Sequence, residues 1–300
     1  MSAPRVFDRP LLRQRLLRAR ALGPATFLLD RVAEDAVDRL ATILRDFPIA
    51  VDLGTPSPAL RRALADSARV GVLVAVGHSA DALAPAGKLA IVADEEALPL
   101  RDSSVDLVVS ALNLQTVNDL PGTFIQVRRA LKPDGLFLAA LLGGETLTEL
   151  RQSFAMAEAE VEDGASPRVA PFADVREIGG LLQRAGFALP VTDVDRVTVR
   201  YASAFALMHD LRRMGAGNPL VERRRTPLRR ATLMRMAQIY AERFADPDGR
   251  MRATFDIVWL SGWAPHASQQ QPLRPGSAKA RLADALGTIE IPGGEKARPT

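Results

Sequence analysis

The chain has 300 residues, room for one large domain with insertions or two small ones, and enough to bury a core without staples. It has no cysteine, which excludes a disulfide framework, a thiolate metal site and a thiol nucleophile and fits a reducing cytoplasm. The 39 basic and 35 acidic residues leave a mild net charge of +4, too small to argue for nucleic acid by itself, and the longest apolar runs, such as Leu136 to Leu142, fall far short of the roughly 20 residues of a membrane span.

The N-terminus carries Arg5, Arg9, Arg13, Arg15, Arg18 and Arg20 with only Asp8 opposing them. Two readings fit, a mitochondrial presequence and an amphipathic helix whose Leu11, Leu12, Leu16 and Leu17 pack on the domain; the second is preferred. Residues 10–45 read as helices, with Phe27, Leu28, Leu29, Val32, Val37, Leu40, Ile43 and Leu44 as an apolar stripe at helical spacing. Short apolar strands then alternate with helices: Ile49 to Leu53, a helix over Pro58 to Ser67, then strands Val70 to Val76, Lys88 to Val92, Val105 to Ser110 and Gly135 to Leu142. That alternation predicts an α/β fold with a parallel sheet covered on both faces.

After the fifth strand come a helix over Glu145 to Val161, a loop over Glu162 to Pro167 and a helix over Asp174 to Ala185 stopped by Gly186. Two further strands, Val191 to Val199 and Thr254 to Leu260, bring the total to seven. Between them lies a helical insertion, Ala202 to Phe244, whose second helix is predicted to start at Thr226-Pro227 with a capping hydroxyl and a first-turn proline. Met208, Met214, Met234 and Met236 are expected to pack this lid on the sheet. From His266 onward Gln, Pro, Gly and Ser accumulate, which predicts an irregular tail. The division is therefore an N-terminal helical segment over 1–45, a main domain over 46–265 with its insertion near 202–245, and a tail over 266–300.

A doubly wound sheet binds its ligand at the carboxyl ends of its strands, near the switch point. This brings together the loops after Leu53, Val76, Val92 and Ser110. Those loops carry Val51-Asp52-Leu53-Gly54, the run Ala93-Asp94-Glu95-Glu96-Ala97-Leu98-Pro99-Leu100, and Leu112-Asn113-Leu114-Gln115. With Asn118-Asp119-Leu120-Pro121 and Leu131-Lys132-Pro133-Asp134-Gly135 they resemble the class I S-adenosylmethionine (SAM) methyltransferases. The resemblance implies a Rossmann-like seven-stranded sheet with N-terminal helices and an inserted lid, and SAM as cofactor. It implies that Asp52, Gly54 and Thr55 approach the methionine moiety, that Gly77 falls where an acid grips the ribose, that Asp94 and Glu95 meet the adenine, and that Leu112 and Asn113 lie under the transferring methyl. Thr55-Pro56-Ser57-Pro58 stands where such enzymes carry glycines, and two prolines there remove two amide donors.

Within that group the chain is similar to the methyltransferase-domain assembly factors of respiratory complex I, described as protein-arginine hydroxylases. The likeness runs from Val6-Phe7-Asp8-Arg9 to about Ala278. Its specific segments are Gly143-Gly144-Glu145-Thr146-Leu147, Ser166-Pro167 with Ala170-Pro171-Phe172, Arg184-Ala185-Gly186-Phe187, and Gly262-Trp263 with His266. A second relative in kind is the malonyl-carrier-protein methyltransferase family, through Leu114-Gln115. The resemblance implies a protein client, a complex I subunit, bound or modified, with an active SAM-dependent methyltransferase as the alternative. A bacterial cytoplasmic protein, peripheral to the inner membrane if the lid touches lipid, is expected.

The three histidines, His78, His209 and His266, are far apart in sequence, and no metal site is expected from them. The insertion carries Arg212, Arg213, Arg223, Arg224, Arg225, Arg229, Arg230 and Arg235. These suit a solvated helix face, or a surface for an acidic protein or anionic lipid. Few aromatics interleave the run, so no nucleic acid is expected.

Overall fold

Runs of aliphatic and β-branched residues broken by helix-forming segments build a seven-stranded sheet in the order β3-β2-β1-β4-β5-β7-β6. In chain order the strands are β1 (Phe47–Leu53), β2 (Val70–Gly77), β3 (Ala90–Val92), β4 (Val105–Ala111), β5 (Leu131–Gly143), β6 (Ala188–Tyr201) and β7 (Met251–Trp263). The computed structural model describes residues 5–83, 89–162, 164–270 and 282–289. Lys88, the expected start of the third strand, and Gly276 to Ala278 lie outside them.

The first five strands in space run parallel, and β7 alone is antiparallel, inserted between β5 and β6. The register Ala50↔Leu107 and Asp52↔Val109 sets β1 beside β4, while the chain leaves β1 in the other direction toward β2. The switch point therefore falls between the carboxyl ends of β1 and β4, which opens a crevice there.

Alternation along the strands feeds two cores. Val51, Leu53, Val108 and Phe137 point to one face, against α5 (Leu120–Ala130) and α7 (Val175–Arg184). Ala50, Leu107, Val109 and Leu138 point to the other, against α2 (Phe27–Ala41) and α3 (Ala59–Ala65). A third core joins α6 (Thr148–Val161), α8 (Ala204–Arg213) and α9 (Arg230–Phe244) to the ends of β6 and β7, around Phe154, Met236, Tyr240 and Phe255. The helix α1 (Arg9–Ala21) starts at Asp8, whose carboxylate accepts from Leu11 N, with Pro10 in the first turn.

The helix boundaries correct the sequence reading in two places. The second lid helix begins at Arg230 after an extended Arg229, not at Thr226-Pro227. The Thr226 hydroxyl instead takes a hydrogen bond from Arg224 Nε at 2.9 Å, so it serves the loop rather than a cap. The helix expected from Glu145 starts at Thr148, because Gly144 and Leu147 take positive φ and Glu145 N is held by Asp256 Oδ2 at 3.0 Å. Leu44 lies beyond α2 and is exposed, as are Phe27, Leu17 and Met234, so these four leave the expected apolar stripes and lid packing.

Residues Met1–Pro265 form one compact unit and His266–Thr300 a second. Within the second, His266 Nδ1 lies 2.6 Å from Ser268 Oγ, and Leu282–Leu286 is a short helix, α10, inside the segment expected to be irregular. No helix among the described residues is long and apolar enough to cross a membrane.

Candidate functional site: a crevice closed by the N-terminal helix

Gly54 ends β1 with φ +72°, a left-handed backbone that glycine adopts without strain, and its N–H is fixed by Val76 O at 2.7 Å. Its open face is filled from within the chain. A Cβ at Gly54 would stand 2.1 Å from Asn113 Nδ2 and 2.6 Å from Glu95 Oε1. Those two side chains bond to each other, Asn113 Nδ2 donating to Glu95 Oε1 at 3.0 Å. The left-handed Leu112 (φ +48°), held by its N–H to Ala140 O, turns β4 into the segment that carries Asn113.

Asp52 and Thr55 serve the interior. Asp52 is fully buried and accepts from Arg61 Nη1 at 2.8 Å, while Ala111 N donates to Thr55 Oγ1 at 3.1 Å. Burial pushes the Asp52 carboxyl up to about 6, against the opposing pull of Arg61. Both groups tie the first loop to α3 and β4. Gly77 closes β2, where a Cβ would meet Leu83 Cδ2 at 3.0 Å; the nearest downstream acid, Asp81, sits on the short helix α4 (Ala80–Leu83).

The acids after β3 are also engaged. Arg9 Nη2 donates to Asp94 Oδ1 at 2.9 Å and pairs with Glu95, and Arg13 pairs with Asp94. Glu96 Oε1 accepts from Asn118 N, and Asn118 Oδ1 accepts from Val6 N and Phe7 N at 2.9 and 2.8 Å. Farther along α1, Arg20 Nη2 donates to Pro56 O at 3.2 Å and Ala82 O at 3.0 Å. The N-terminal segment is thereby stitched across the ends of β1, β2, β3 and β4. Burial raises Asp94, but the Glu96 N–H with Arg9 and Arg13 outweighs it and holds the carboxyl below its usual range. Burial lowers His78, beside the same arginines, with Glu95 opposing.

The structure thus gathers Gly54, Glu95, Asn113 and Asp94 at one crevice, with Leu112 behind and Gly77 at its edge. Arg9, Arg13 and Arg20 are the participants that sequence reading did not place here. A signal existed: Arg9 and Arg13 are four apart on one helix face, and Asp94-Glu95-Glu96 is the matching acidic run. His78, His209 and His266 form no metal-binding group among the described residues. Of the lid arginines, Arg223 pairs with Asp8, Arg224 with Glu162, and Arg235 with Glu160 and Glu242.

A sheet of this order with its single antiparallel strand is the class I methyltransferase fold, and the methyltransferase domain family (Methyltransf_11) matches residues 51–139. A solved methyltransferase-type structure from Bacillus halodurans superposes with a TM-score of 0.54 at 13% identity, over 77% of this chain and 98% of that one. Over nearly the whole chain the similarity is narrower. It is 38% identical to the human protein named arginine-hydroxylase NDUFAF5, mitochondrial, over 98% of this chain and 87% of that one, and 37% identical to its Danio rerio counterpart over 93% and 89%. A malonyl-[acyl-carrier protein] O-methyltransferase of Xylella fastidiosa is 39% identical over 58% of this chain and 57% of its own length. The chain belongs to the NDUFAF5 family.

The residues expected to meet SAM are, in this structure, paired with one another. The face opened by Gly54 holds Asn113 and Glu95, the acids after β3 are paired with Arg9 and Arg13, and β2 ends in glycine, which has no carboxylate to accept from two hydroxyls. Pro56 and Pro58 offer no amide donors in the first loop.

Proposed function

We propose that this chain is a methyltransferase-fold protein of respiratory complex I assembly that binds a protein client, with its SAM crevice shut in the resting state by its own helix α1. The observation that carries the reading is the double anchoring of Asp94 and Glu95 by Arg9, with Arg13 reinforcing Asp94. Family membership supports complex I assembly as the setting, since the near-full-length relatives bear the NDUFAF5 name. Arg225, Arg229 and Arg230 form no ion pair among the described residues and are exposed, which supports an acidic client surface for the lid.

The second reading is an active SAM-dependent enzyme, a methyltransferase or a protein-arginine hydroxylase, in which α1 swings away on loading. It is favoured by the retention of Asp94 and Glu95 and by the methyltransferase domain match.

Calorimetric titration of SAM and S-adenosylhomocysteine into the intact protein separates the two. The first reading expects no heat up to about a millimolar, weaker than about −4 kcal/mol. Micromolar binding overturns it. Complex I assembly is checked by deleting the gene in its host and resolving the respiratory complexes on native gels; undiminished complex I would remove the assembly role.

A further inference from the structure

The segment that leads into α1 is clamped from two sides. Phe7 and Leu220 form an antiparallel bridge, with Asp8 N donating to Pro219 O at 2.7 Å and Val221 N to Val6 O at 3.0 Å. Phe7 is buried there beside Ala170 and Leu220. On the other side the Asn118 side chain holds Val6 and Phe7. The loop after α8 therefore already receives an extended chain through its main chain. That chain carries a carboxylate, for Asp8 Oδ2 lies 3.0 Å from Arg223 Nη1.

The seam between this segment and the loop holds more cations than it can neutralise. Arg15 reaches across it from α1 to donate to Asn218 O. Burial, then Arg223 and Arg18, hold the Arg15 guanidinium below its ordinary range, with Asp8 opposing. The Leu11 N–H first, then Arg223 and Arg225, hold the Asp8 carboxyl below its own range against desolvation. Of these four arginines only Arg223 has an ion pair among the described residues, and Arg18 and Arg225 are exposed. Asp8 and the exposed Glu222 are the acids that the two segments, 5–21 and 214–229, contribute. Two carboxylates cannot balance four guanidiniums, so the seam is left attractive to further anionic groups.

We propose that this seam docks an extended acidic segment of a protein partner, its carboxylates taking Arg15, Arg18, Arg225 and, in competition with Asp8, Arg223. An extended chain is favoured over a lipid head because the resident occupant, Val6-Phe7-Asp8, is itself one. A carboxylate that takes Arg223 from Asp8 loosens the segment leading into α1, so client docking and crevice opening favour each other. The docking rests on the client-binding reading above. SAM heat and complex I levels, which judge that reading, are measured without an acidic peptide, so the two can fail separately.

The test is fluorescence anisotropy of a labelled deca-glutamate peptide with the intact protein at low salt, beside a deca-glutamine peptide. The glutamate peptide should bind and the glutamine peptide should not, and hydrogen exchange over residues 6–8 should quicken on binding. Arg18→Gln with Arg225→Gln should weaken binding roughly tenfold, the worth of two exposed charge contacts. Arg101→Gln with Arg176→Gln, the same loss of exposed charge before β4 and on α7, should leave it unchanged. Asp8→Asn keeps a side-chain acceptor for Leu11 N–H and removes the competing charge, so it should tighten binding about two- to fivefold. Equal losses in the two arginine pairs, no tightening in Asp8→Asn, unchanged exchange over residues 6–8, or binding to phosphatidylglycerol vesicles in preference to the peptide would each overturn the proposal.

Discussion

Arg9 Nη2 stands 2.9 Å from Asp94 Oδ1 across 85 residues of chain, and the same guanidinium pairs with Glu95, whose side chain is only 2% exposed. Arg9→Ala would leave a buried carboxylate with Asn113 as its remaining side-chain partner. Breaking a buried pair costs about 3–5 kcal/mol. The loss should show in urea denaturation, together with faster proteolysis of α1. Arg13→Ala, on a more exposed pair, should cost no more than about 1 kcal/mol. Equal effects for the two variants would mean that α1 is not fastened at Glu95.

If α1 is what shuts the crevice, Arg9→Ala combined with Arg13→Ala should admit SAM more readily than restoring an acid at Gly77 does. Gly77→Asp alone keeps Asp94 and Glu95 paired and adds a Cβ against Leu83. Calorimetry on the two proteins gives the comparison. Binding in Gly77→Asp alone would show that the missing acid, and not the helix, is the barrier.

The pair Asp52–Arg61 sets a pH signature. Asp52 titrates near 6 in the folded protein against 3.8 ordinarily, so between about pH 4 and 6 the folded state holds the proton that the unfolded chain has lost. Asp52 therefore makes stability fall as pH rises through that window, then level off. Arg61→Met should destabilise by about 3–5 kcal/mol at neutral pH and by much less below about pH 5, where Asp52 is neutral. A loss that does not vary with pH would assign the damage to packing.

Gly54→Ala meets two obstacles, a left-handed backbone costing about 1–2 kcal/mol and a Cβ that would stand 2.1 Å from Asn113 Nδ2. Asn113→Ala in the same chain removes the nearer clash and leaves the approach of Glu95 Oε1 at 2.6 Å and the backbone cost. Thermal melts should show partial rescue. Absence of any rescue would mean that Asn113 does not sit over Gly54.

The amino-acid sequence by itself determined the layered α/β architecture. Apolar runs such as Val105 to Ser110 and Leu136 to Leu142 can be buried on both faces only in a parallel sheet between helices, and the strand-end motifs fix which end holds the crevice. It also identified Gly54, Asp94, Glu95 and Asn113 as neighbours, because the topology brings loops of known order together. Boundaries were less legible where a side chain takes an unexpected partner, as Thr226 does with Arg224 and Glu145 N with Asp256. Only the tertiary structure decided what those site residues face. A carboxylate on a loop reads the same whether it awaits a ligand or already holds an arginine, since a pairing over 85 residues leaves no local periodicity. The same holds for Asp52, whose partner Arg61 lies nine positions away on a separate helix.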